Sequence, residues 1–182
     1  MIIHCIADPS TDCPADIIFV MDESSSVGAY NFQLMKSFVM ALVGRLDIDS
    51  GHTRVGLATY STQVDTAQAF NLNSYSSVAD VQSAISLLIY GLGRTNTAAA
   101  LRYVRTTMLT SAAGDRSDVP NVIVVMTDGR SDSVSHTLVS TMSKFMKKLL
   151  YLGTDLIAVL AVLFVVVLFG ATCSKKPKLR VV

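Results

Sequence analysis

The chain has 182 residues, enough for one domain with a core of its own. Hydrophobic residues make up 51% and charged residues 16%, with a formal net charge of +1, which argues against a nucleic-acid face built on bulk charge. The three cysteines, Cys5, Cys13 and Cys173, form no CxxC pair and have no nearby histidine pattern, which argues against a zinc finger. Cys13 and Cys173 lie towards opposite ends of the chain. They either clip the termini of a domain in an oxidising compartment or stay as unpaired thiols.

Residues 1–13 lack a basic start and a long apolar stretch, and read as a leader without a signal peptide. The chain is therefore expected to be part of a longer secreted protein, or to reach a membrane by another route. Residues 15–21 form an apolar run of strand length that stops at Asp22. Met35, Phe38, Val39, Leu42, Val43 and Leu46 recur at helical spacing and predict one face of a helix. After the turn residues Asp49, Ser50 and Gly51, residues 53–60 (TRVGLATY) predict a second strand, with 64–70 beside it as an edge strand. Ser77 followed by Asp80 marks a helix start, and Val78, Val81, Ile85 and Leu88 follow on one face. Leu101, Val104 and Met108 mark another helix, entered at 95–97, and 111–118 reads as a linker. Residues 121–126 (NVIVVM) are the most strand-like run and end at Thr127, Asp128 and Gly129. Leu138, Met142, Phe145, Met146 and Leu149 predict a further helix face. Strands apolar on both faces, alternating with amphipathic helices, predict a doubly wound, mostly parallel α/β sheet flanked by helices.

Ligands of such sheets bind at the carboxyl ends of the strands, where Asp22 and Asp128 stand. The run FVMDESSSVG at 19–28 can be read in two ways. Taken alone, Asp22 to Ser26 is the cap of the next helix. In an extended or loosely turning segment, however, positions 22, 24 and 26 point the same way. That converges one carboxylate and two hydroxyls, and the fold adds Thr95 and Asp128 at the same edge. Oxygen donors without nitrogen or sulfur suit a hard divalent cation, Mg²⁺ best, with Mn²⁺ or Ca²⁺ also admitted.

Asp22-x-Ser24-x-Ser26 after a strand, Thr95 within GRTNTAAAL and Asp128 within VVMTDG together resemble the metal-ion-dependent adhesion site of von Willebrand factor type A domains. The segments ADIIFVMDESSSVG, RVGLATYST, NTAAALRYVR and NVIVVMTDGRSD are similar to A domains of collagen VI-type and matrilin-type matrix proteins, over residues 14 to 135. The resemblance implies that Ser24, Ser26 and Thr95 bind the metal directly, with Asp22 and Asp128 acting through water. A cation held mainly by neutral hydroxyls stays electrophilic, so an acidic side chain from a partner completes its octahedron. The implied function is cell adhesion or matrix interaction, with a protein ligand bearing an exposed Asp or Glu, collagen or another matrix protein among the candidates. Ser25 departs from the glycine that many family members carry there. Arg94 and Arg130 flank the metal edge, as a rim that favours an acidic partner or as plain solubility residues.

No enzyme is expected. Ser24 to Ser26 lies outside a G-x-S-x-G elbow, Gly91-Leu92-Gly93 lacks the third glycine of a dinucleotide fingerprint, and His4, His52 and His136 stand apart. Two other classes stay open: a matrix-assembly domain with an incidental metal, and an intracellular, membrane-anchored A domain.

The stretch LIAVLAVLFVVVLFGATC at 156–173 carries no charge and is followed by Lys175, Lys176, Lys178 and Arg180. It reads as a transmembrane helix over 153–174 with a short basic tail at 175–182. The competing reading uses 153–159 as a buried strand of the A domain. The expected organisation is thus an A-like domain over 14–152, extending to 162 if that strand belongs to it and truncated C-terminally relative to the family. The domain is expected on the extracellular side of a membrane or in the matrix, with a cytosolic orientation as the alternative.

Overall fold

A computed structural model describes residues 14–128 together with the backbone of the strands at 149–150 and 164–170. The elements run β1 (Ala15–Asp22), α1 (Gly28–Val43), β2 (Thr53–Tyr60), β3 (Val64–Phe70), α2 (Val78–Ser86) and α3 (Thr97–Tyr103). A π-helical turn at Val104–Met108 continues α3, and β4 (Asn121–Thr127), β5 (Leu149–Leu150) and β6 (Phe164–Gly170) complete the order. The strands form one sheet in the order β3-β2-β1-β4-β6-β5.

The apolar runs are strands because both faces of the sheet are covered. In β1, Ile17, Phe19 and Met21 face α1 and α2, in one core with Val55, Leu57, Val122, Val124 and Met126. The alternate residues Ile18 and Val20 pack with Ala58, Ile123 and Val125 against Leu101, Val104 and Met108 of the α3 segment. β1 pairs in parallel with β2 and with β4, whereas β3 runs antiparallel to β2. The register sets Asp22 beside Tyr60 and Met21 beside Met126, so three strands end at one level.

Ser77 caps α2 as expected: its hydroxyl accepts from Asp80 N at 3.1 Å and donates to Asp80 Oδ2 at 2.7 Å. The face expected for α1 is rotated. Phe32, Met35, Lys36, Val39 and Val43 are buried, and Phe38 is 46% exposed. The helix begins earlier than its apolar spacing indicates, and Lys36 turns inward because its ammonium donates to Ser86 O at 2.7 Å and Leu88 O at 2.8 Å.

The late apolar run needs a correction. Phe164–Gly170, within the span expected over 153–174, is a strand antiparallel to β4, from Asn121 opposite Gly170 to Thr127 opposite Phe164. β4 would otherwise expose a row of unpaired backbone groups, and the Val-rich segment suits a sheet. Among the described residues no helix is long and apolar enough to cross a membrane. The helix face expected from Leu138 lies outside the described residues except for Leu149, which pairs in β5. Residues 1–13 and 175–182, with Cys5, Cys13 and Cys173, also lie outside them.

The segment read as a linker holds a structural anchor. Arg116 Nε and Nη2 donate to Asp16 Oδ1 at 2.8 and 2.6 Å, and its backbone N donates to Asp16 Oδ2 at 2.8 Å. The same guanidinium reaches Ala15 O, Gly51 O and His52 O at 2.9–3.1 Å. Asp16 is fully buried at the start of β1. Removing one partner leaves a buried charge uncompensated, so Arg116→Ala is expected to lower stability by about 3 kcal/mol in urea unfolding. A loss below about 0.5 kcal/mol would instead mark the pair as a surface contact.

Candidate metal centre

The helix-cap reading of 22–26 fails. The N-cap position of α1 is Val27, with no side-chain cap bond, and the acid and hydroxyls turn elsewhere. Asp22 ends β1 and is fully buried, with Oδ1 accepting Ser24 N at 2.9 Å and Oδ2 accepting Thr127 Oγ1 at 2.6 Å. Gly28, at φ +75°, makes the left-handed step that releases the chain from this turn into α1, a conformation costly for any other residue.

The remaining oxygens form an arc. Thr95 Oγ1 donates to Ser24 Oγ at 3.0 Å, Ser24 Oγ and Ser26 Oγ are 3.1 Å apart, and Ser26 Oγ donates to Asp128 Oδ1 at 3.1 Å. Ser24 and Thr95 are buried, Asp128 is half-buried and Ser26 is exposed, so the arc opens to solvent at one end. Asp22, Ser24, Ser26, Thr95 and Asp128 are therefore brought together. Arg94 is exposed beside Thr95, and its backbone N donates to Thr62 Oγ1 at 3.1 Å. Arg130 lies outside the described residues.

A second loop is stitched to the first. Ser25 N donates to Gly93 O and Gly93 N donates to Ser25 Oγ, both at 3.0 Å. The serine that departs from the family pattern thus supplies a side-chain bond that glycine lacks. Gly93 sits at φ +136°, and a Cβ there would stand 2.8 Å from Thr62 Oγ1. Tyr90 OH donates to Ser24 O at 3.0 Å. Gln68 brackets Ile89, its Oε1 accepting Ile89 N at 2.5 Å and its Nε2 donating to Ile89 O at 3.1 Å.

Sequence reasoning missed Thr127, Tyr60 and Thr97. Tyr60 is fully buried, its OH 3.1 Å from Thr97 Oγ1. Thr127 had a local signal, since it adjoins Asp128 at the end of β4. Tyr60 and Thr97 had none, because their meeting depends on how β2 and α3 pack.

The von Willebrand factor type A domain family matches residues 16–159. The chain belongs to this family. Among similar proteins, the chain is 40% identical to the mouse collagen alpha-4(VI) chain over 65% of its own length and 5% of that collagen chain. It is 37% identical to mouse matrilin-2 over 69% of its length and 13% of that protein. The A domain thus spans a small part of each of these relatives. Among solved structures it superposes on proximal thread matrix protein 1 from the mussel byssus with a zinc-occupied MIDAS (metal-ion-dependent adhesion site) motif. The TM-score is 0.65 at 29% identity, covering 71% of this chain and 35% of that one.

Burial pushes the Asp22 carboxyl above its ordinary value of 3.8, against the hydrogen bonds from Ser24 and Thr127, which favour the ionised form, while the nearby Asp128 charge raises it further. A raised carboxyl stabilises the metal-free fold while protonated and loses that contribution as pH rises through the raised value. Asp22→Asn is therefore expected to gain stability relative to the native chain in EDTA as pH rises above the ordinary carboxyl value of 3.8. Urea unfolding across that range checks the sign, and a native chain that gains instead would contradict it.

Proposed function

We propose that this A domain is an extracellular, non-enzymatic protein-binding module that grips an acidic side chain of a matrix-protein ligand through a divalent cation. The observation that carries this reading is the oxygen arc. Adjacent vertices of an octahedron with ligands at about 2.1 Å lie about 3.0 Å apart. The consecutive oxygens of Thr95, Ser24, Ser26 and Asp128 are 3.0, 3.1 and 3.1 Å apart.

Ser24, Ser26 and Thr95 would hold the cation directly, with Asp22 behind and Asp128 beside them. Bound there, the cation supplies an open coordination position for a partner's carboxylate. All-oxygen donors favour Mg²⁺, with Mn²⁺ and Ca²⁺ as competitors, and the zinc in the mussel protein's motif adds a fourth ion to test. Asp22 is oriented by Ser24 N and Thr127, and Ser24 and Thr95 lie out of solvent. Membrane attachment through 153–174 forms no part of this reading, since 164–170 pairs with β4.

The surroundings support a macromolecular ligand. Leu87, Ile89 and Leu92 are 75%, 74% and 73% exposed on the loop that Lys36, Gln68, Tyr90 and Ser25 pin beside the arc. A rigid loop that presents aliphatic side chains next to a charge-binding point suits a protein surface. Collagen and matrilin relatives make a matrix protein the first partner to test.

Asp22→Ala and Asp128→Ala are each expected to abolish Mg²⁺-dependent capture of immobilised collagen VI. Millimolar Mg²⁺ at about 100 times its Kd is expected to stabilise the native chain by about 2.7 kcal/mol, and to do nothing for either variant. Full capture in EDTA would overturn the reading. Leu92→Ser is expected to weaken capture while leaving the calorimetric Mg²⁺ affinity within twofold of native. A parallel fall in both would place Leu92 in the cation site instead.

A further inference from the structure

Ile89 lies outside every helix and strand, so no ladder satisfies its backbone, yet both its N–H and its C=O are bonded. The side-chain amide of Gln68, on the edge strand β3, takes the place of a neighbouring strand. Its Oε1 accepts Ile89 N at 2.5 Å and its Nε2 donates to Ile89 O at 3.1 Å, across 21 residues of chain. The amide is itself held. Nε2 donates to Asp65 Oδ2 at 2.8 Å, with Glu23 Oε2 the more distant acceptor at 3.4 Å, and Asp65 Oδ1 accepts Ala67 N at 2.9 Å. Turned the other way, the amide would set N–H against N–H at Ile89 and oxygen against the Asp65 carboxylate, so only one orientation is favourable. The β2–β3 register shifts beside it, from Thr59 opposite Asp65 to Leu57 opposite Phe70, an irregularity of the kind that re-aims a side chain.

The other end of this segment is held at Gly93, by the reciprocal pair of bonds with Ser25, each 3.0 Å. Ser25 stands between Ser24 and Ser26 of the arc, and Thr95 of the arc follows Gly93 by two residues. The Ser25 hydroxyl thus fixes the neighbour of Leu92 relative to the oxygens of the arc. Between the two holds Tyr90 turns inward, its OH donating to Ser24 O at 3.0 Å and its ring 5.6 Å from that of Phe32.

This bonding keeps Ile89 and Leu92 outward, 74% and 73% exposed. Aliphatic side chains left in water contribute nothing to the core, and a slack loop would fold them back against the protein. Gln68 and Ser25 grip main-chain atoms alone, so the placement of the segment does not depend on what Ile89 and Leu92 themselves touch. A segment already ordered in this way loses less freedom when a partner covers it.

We propose that Gln68 and Ser25 are specificity-determining positioning residues, which hold Ile89 and Leu92 as the apolar part of a contact whose polar part is the cation-bound carboxylate. This rests on the cation reading above. The test measures the Kd for immobilised collagen VI in Mg²⁺, and Mg²⁺ affinity by titration calorimetry. The proteins are the native chain, Gln68→Met, Ser25→Ala, Ile89→Ser, Leu92→Ser, and two double variants that pair Gln68→Met with Ile89→Ser and Ser25→Ala with Leu92→Ser. Gln68→Met keeps the length of the side chain without its amide, and Ser25→Ala removes the hydroxyl but leaves the Ser25 N bond to Gly93 O. Each is expected to weaken capture about fivefold to tenfold, the size of one truncated contact residue, and to keep Mg²⁺ affinity within twofold of native. In each double variant the loss should fall short of the product of the two single losses, because a misplaced contact residue has less to lose. A role confined to stability would leave those losses multiplying in full. Native capture by either single variant, losses that multiply in full, or a parallel fall in Mg²⁺ affinity would overturn the inference and leave the cation reading standing. A native chain that captures in EDTA, or not at all, overturns the cation reading and this inference with it.

Discussion

β1 is hydrogen-bonded in parallel on both sides, to β2 from Ala15 to Asp22 and to β4 from Asp16 to Met126's partner Met21. That double pairing governs the rest of the molecule. The chain leaves β1 through α1 towards β2 and returns through α3 on the other face to β4, so the connections diverge above the end of β1 and open a crevice there. Asp22, Tyr60 and Thr127 meet in it because the two registers end level. A slip of one residue in either ladder would turn the acid or the threonine to the wrong face of the sheet.

A buried acid at such a point is costly, and the surrounding loops offset the cost with directed hydrogen bonds. Asp22 receives a backbone N–H and a threonine hydroxyl, and Glu23, also buried, has its carboxyl raised chiefly by desolvation. Two cationic side chains outside the arc set its frame. Lys36 holds the carbonyls of Ser86 and Leu88, and Arg116 holds Asp16 with three carbonyls at the opposite end of β1. These contacts make the connections between strands rigid enough to present hydroxyls at fixed separations.

The apolar run after residue 155 shows how one composition serves two solvents. Val-rich segments lower their free energy by leaving water, in lipid or against a sheet. A helix satisfies its backbone alone, whereas a strand needs a partner, and β4 offers one along Asn121–Thr127. Over 164–170 the edge of β4 supplies that partner, and this part of the run is a strand.

By itself the sequence determined the central strands, the cap at Ser77 and the five oxygen-bearing residues of the candidate site. Each has a local cause: an apolar run of strand length, a hydroxyl placed before an acid in a helix start, or polar residues placed where a strand stops. Only the tertiary structure decided the inward turn of Lys36, the anchoring of Arg116, the antiparallel place of β6, and the meetings of Tyr60 with Thr97 and of Thr127 with Asp22. These join groups far apart in the chain, from 37 residues between Tyr60 and Thr97 to 105 between Asp22 and Thr127. Residue spacing carries no trace of such contacts, because packing of whole elements creates them and the side chains then take whichever partner burial leaves within reach.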